Sequence, residues 1–90
     1  MRTKIGQVTS MEPMRDYIKN TKELEFVIFC IENVADRLQE KPEEVYRLFT
    51  KESDLLASYI VPNYDVLHTQ SKEYIIDDII EVMRGKGIKL

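Results

Sequence analysis

The chain has 90 residues, of which 43% are hydrophobic and 32% charged, with a net charge of −3. That length bounds it to one domain, and that composition excludes a disordered segment. One cysteine cannot form an internal disulfide, and the short apolar runs exclude a membrane-spanning helix.

The net charge hides a gradient. Residues 1–22 carry Arg2, Lys4, Arg15, Lys19 and Lys22 against Glu12 and Asp16, and Arg84, Lys86 and Lys89 close the chain with no acid. Between them, residues 23–83 hold fourteen acids against five basic residues. An acidic body does not attract nucleic acid, so nucleic acid is an unfavoured partner, and basic ends offer at most contacts to phosphate. Met1 to Gln7 lacks the apolar stretch of a signal peptide. These features point to a soluble cytoplasmic protein.

Residues 1–19 show no clean period. Ile5 and Val8 flank Gly6, and Pro13 interrupts the stretch, which predicts a short strand or an irregular N-terminal arm leading into a helical turn at Met14–Ile18. Met11, Met14, Tyr17 and Ile18 are apolar enough to dock it on the body. Asn20 or Thr21 then caps the first long helix, with Glu23 suiting the helix dipole. Leu24, Val27, Ile28, Ile31, Val34, Ala35 and Leu38 recur with the 3.6-residue period of an apolar stripe.

Lys41-Pro42 ends that run, and Pro42 suits the first position of a second helix, Pro42–Lys51. There Val45, Tyr46, Leu48 and Phe49 gather on one side. A short piece over Asp54–Ile60 turns Leu55, Leu56, Tyr59 and Ile60 inward before Pro62 breaks it. Asn63 to Gln70 is a connector with room for one helical turn. Ser71 caps the last helix, Lys72–Arg84, and Gly85 fits a left-handed C-terminal cap. The expected architecture is all-α: a small bundle of about four helices over residues 23–90, preceded by the arm of residues 1–22.

Two stretches carry a family resemblance. Glu25-Phe26 leads into Phe29-Cys30-Ile31-Glu32-Asn33, and Tyr64-Asp65-Val66-Leu67-His68-Thr69-Gln70 precedes Tyr74 to Ile80. Together they resemble a family of small helical bacterial domains of unknown function. Its members look like cytoplasmic proteins and are often encoded beside a domain that looks like an ADP-ribosyltransferase. The resemblance implies an accessory or antitoxin-like partner of a neighbour-encoded protein. It implies no catalytic residue and no cofactor.

The residues themselves were weighed for chemistry. His68, the single histidine, follows Asp65 by three residues, so a carboxylate can reach the imidazole on a helical turn. A ring packed at a helix junction and bonded to a carbonyl explains the same histidine. Asp77, Asp78 and Glu81 lack the second cluster that a hard cation needs, so no metal ligand is assigned. Pro42–Lys51 followed by Ser53–Ile60 reads loosely as a helix-turn-helix, but its second helix has no Arg or Lys for bases or phosphates. Gly85-Lys86-Gly87 lacks the spacing of a phosphate-binding loop.

Protein interaction has the strongest positive signal. On a wheel of about 100° per residue, Phe26, Phe29 and Cys30 fall away from the stripe that begins at Leu24. Only Glu25, Glu32 and Asp36 form a wet strip. This predicts a helix with two apolar faces, the second covered by the arm, by a second copy or by a foreign protein. Phe26, Phe29 and Cys30, with Tyr64, His68 and Gln70 of the second motif, are the candidate interaction residues. The expected function is a non-enzymatic protein-interaction module, and the alternative is a DNA-binding regulator using the middle helices.

Overall fold

A computed structural model describes residues 18–89. Five helical segments follow one another: α1 (Thr21–Leu38), α2 (Pro42–Thr50), a π-helical segment (Leu56–Ile60), the single turn α3 (Tyr64–Leu67) and α4 (Lys72–Gly85). No strand occurs among the described residues, and the fold is all-α as expected. Expectations for the arm's Met11, Met14 and Tyr17 fall outside the described residues. Ile18, the first described, packs half-buried against the core.

The start of α1 is built by its sequence. Asn20 Oδ1 accepts from the Glu23 N–H at 2.9 Å, and Glu23 Oε1 accepts from the Lys19 N–H at 2.8 Å. Two amides at the helix mouth are thereby satisfied reciprocally. The end is a Schellman motif: the Glu40 N–H reaches Ala35 O at 2.9 Å, and the Gln39 N–H reaches Asp36 O at 3.3 Å. Gln39 takes the left-handed conformation, φ +60°, that this motif demands.

Pro42 opens α2, where its missing N–H costs no hydrogen bond. The segment after α2 differs from the short α-helix expected over Asp54–Ile60. Its buried residues are Leu55, Leu56, Ile60 and Val61, two adjacent pairs five residues apart. In an α-helix a five-residue step rotates a side chain by about 140°, off the buried face. Widening the turn brings both pairs inward, and the Val61 N–H accordingly reaches Leu56 O at 3.0 Å.

At the far end Ser71 Oγ caps α4 by accepting from the Tyr74 N–H at 3.1 Å. The left-handed glycine is not Gly85, which closes the helix, but Gly87 at φ +84°. From there the Gly87 N–H reaches Arg84 O at 3.0 Å and the Ile88 N–H reaches Met83 O at 3.1 Å, a second Schellman motif. Ile88 returns to pack on the core.

The core lies where α1 packs on α2 and α4. Val27, Val34, Phe49, Leu55, Ile79 and Met83 are fully enclosed. Polar ties cross its edges: Arg37 pairs with Asp77 between α1 and α4, the Tyr59 hydroxyl donates to Asp78, and Lys86 Nζ sits 3.2 Å from Asp54 Oδ1.

The expectation of two opposed apolar faces on α1 is corrected. Cys30 is fully buried and Phe26 is 8% exposed, in one core with Val27, Ile31, Val34 and Ala35. The buried arc thus spans about half the circumference without a break. Ile28, expected to face the bundle, is instead 40% exposed. The wheel misplaced the centre of the arc because it was anchored on Leu24, which is only half-buried.

Candidate functional site

The first two and a half turns of α1 present Phe26 and Phe29 on adjoining positions, three residues apart. Their rings stack with centroids 6.2 Å apart and an interplanar angle of 20°. The connector after the π segment brings Tyr64 edge-on to Phe26, at 5.4 Å and 78°. One turn further, His68 lies flat on Tyr64, at 4.4 Å and 6°. Four of the sequence-derived candidates therefore form one aromatic row, from the half-buried Phe29 across the buried Phe26 and out through Tyr64 to the exposed His68. Pair geometries of this kind favour association beyond the area that they bury.

α3 is what makes the row possible. Pro62 has no N–H to extend the π ladder, so the chain turns, and the Asn63 side chain donates to Tyr59 O at 2.7 Å. The next turn places Tyr64 and His68 at i and i+4 on one face. His68 Nδ1 lies 2.7 Å from Tyr64 O. A carbonyl only accepts, so Nδ1 carries the proton and, in the neutral ring, Nε2 is left as an acceptor facing outward. The Tyr64 carbonyl and ring orient the imidazole, a part that the Asp65–His68 spacing had suggested for the carboxylate.

The other two candidates stand apart from the row. Cys30 lies on the buried side of α1, where burial pushes its thiol up to about 12 and leaves it a poor nucleophile at neutral pH. Gln70 is exposed on the same connector, its side-chain amide 3.5 Å from the Thr69 hydroxyl. The sequence singles out neither Val66 (63% exposed) nor Tyr74 as an exposed apolar residue, and Ile28, expected inside, joins them on the surface. The signal at Val66 was present, since it sits between Tyr64 and His68 and must point away from their face.

Elsewhere a few charged groups pair with one another. Arg47 is held by Glu44 and Glu52, and this guanidinium keeps the Glu44 carboxyl below its ordinary range. Asp77 and Asp78, weighed as metal ligands, are taken by Arg37 and Tyr59. No group of three or more His, Cys, Asp or Glu side chains suited to a metal ion occurs among the described residues. A cleft of about 430 Å³ lies between Leu38, Leu48 and Ile88 with a rim of mixed charge. No helix among the described residues is long and apolar enough to cross a membrane.

A helical bundle with an aromatic row that reaches the surface defines a small all-α domain. The chain belongs to the family DUF3791, described as proteins of unknown function, which it matches over residues 25–86. The match begins one turn into α1 and ends just past α4, so it takes in every contact of the aromatic row. Neither the curated proteins nor the solved structures contain a match to it.

Proposed function

We propose that this domain is a cytoplasmic protein-interaction module, an accessory or antitoxin-like partner of a neighbour-encoded protein. The observation that carries the reading is the row Phe29–Phe26–Tyr64–His68, which is rooted in the core at Phe26 and ends on an exposed, hydrogen-bonded imidazole. Rigid aromatic groups anchored from below are the side chains on which partners seat at low entropic cost. Among the described residues no second element brings a nucleophile to His68, which favours recognition over catalysis.

The test has two stages. The chain is used as bait against its source cytoplasm, and the retained protein is purified and titrated against wild-type, Tyr64→Ser and His68→Ser chains. Both variants should weaken the complex about tenfold or more, as loss of a hot-spot contact does. A monomer that retains nothing, or a complex indifferent to both substitutions, would remove the reading. Salt-steep binding to duplex DNA in the absence of any protein complex would favour the regulator instead.

A further inference from the structure

We infer that the outer face of α1 is a docking surface for a basic amphipathic helix of a partner protein, an inference that rests on the interaction reading above. Around α1, the exposed Ile28 and the half-buried Phe29 flank a strip formed by Glu25, Glu32 and Asp36. By helical geometry the five residues lie within about 100° of one another, on the face opposite the core. Phe29 is also the outer end of the aromatic row, so this strip and that row are continuous.

Two features identify the occupant. Among the described residues the strip's three carboxylates have no ion-pair or hydrogen-bond partner, as is also true of Glu73 and Glu81 on α4, but only those of α1 are flanked on one face by both Ile28 and Phe29. Glu32 and Asp36 stand at i and i+4, where like charges destabilise a helix, and Arg37, the nearest cation along α1, is drawn to Asp77. A helix carrying Lys or Arg along one edge and Leu or Ile beside it relieves that repulsion and covers Ile28 and Phe29 together. Among the described residues a second copy of this chain offers no such helix, because the buried faces of α1, α2 and α4 carry its apolar stripes.

The test titrates a synthetic amphipathic peptide of Leu and Lys, about 18 residues long to span five turns, against the full chain by fluorescence anisotropy. The expected result is saturable binding that weakens with salt. It should fall about tenfold in Glu25→Gln/Glu32→Gln/Asp36→Asn and also in Ile28→Ser, but not in Glu73→Gln/Glu81→Gln, which removes as much charge as two of the three changes from α4. No binding, or equal losses in the α1 and α4 variants, overturns the inference, the latter because generic attraction to an acidic protein then suffices. If the natural complex depends on Tyr64 and His68 yet ignores the α1 triple variant, this inference fails while the interaction reading stands.

Discussion

Gln39 stops α1 at a conformational cost that a glycine would not carry. A side chain at φ +60° brings its Cβ close to the carbonyl, whereas glycine adopts that region freely. Gln39 recovers part of the cost by donating from Nε2 to Asp36 O at 3.1 Å, an exposed bond of small net value. Gln39→Gly should therefore raise the unfolding free energy by about 0.5–1 kcal/mol, read as a higher urea midpoint with an unchanged slope. Gly87→Ala should do the reverse, since φ +84° strains any Cβ even though the space around it is open. At the same scale, Tyr59 couples stability to alkaline pH. Its hydroxyl donates to Asp78, and that bond, helped by burial and by the carboxylate's charge, raises its pKa from the ordinary 10 to about 12. The folded state thus holds a proton that the unfolded chain releases. The stabilisation is complete below pH 10 and is lost as pH climbs through 12. In Tyr59→Phe that segment of the pH–stability curve should flatten; a curve superimposable on wild type would show that the bond is not made in solution.

Among the elements, those with strong local signals were readable from sequence, and those shaped by packing were not. α1, α2 and α4 announce themselves through periodic apolar residues, a proline at a helix start and Ser or Asn at a cap. The π segment did not, because Leu55, Leu56, Tyr59 and Ile60 satisfy an α-helical pattern until Val61 is also required inside. Gln39 gave no warning either, since glutamine carries no preference for the left-handed region and only the tight entry into Pro42 demands it. The site was half legible. Its residues stood out, but the i, i+4 stacking of Tyr64 under His68 competes with the Asp65 spacing, and sequence cannot rank a ring contact against a carboxylate. Caps permit a quantitative check on the elements. Asn20→Ala removes the acceptor for the Glu23 N–H and should cost about 1 kcal/mol, and Ser71→Ala should cost a similar amount at α4. Their double variant should be additive within about 0.5 kcal/mol, because the two helix mouths share no hydrogen-bond partner.

For the whole molecule the governing fact is size. A 90-residue chain buries a modest share of its surface, and its net stability is of order 5–15 kcal/mol. One core ring is then a large fraction of the total. Phe49 is fully enclosed on α2, which packs on α1 and on the π segment, and truncation leaves a cavity that the neighbouring elements only partly close. Phe49→Ala should cost about 3–5 kcal/mol. Cys30 supplies the readout for this, because the fully buried thiol reports opening of the core from within. Its burial and its pKa of about 12 make the native thiol inert to an aromatic disulfide reagent at pH 8, whereas the unfolded thiolate reacts readily. When refolding outpaces the chemistry, the labelling rate follows the population of open molecules. A loss of 3–5 kcal/mol should then accelerate labelling by about 10²–10³-fold or more, until unfolding itself limits the rate. Labelling of Phe49→Ala at the wild-type rate, with an unchanged thermal midpoint, would mean that α2 is not part of the cooperative core that encloses Cys30.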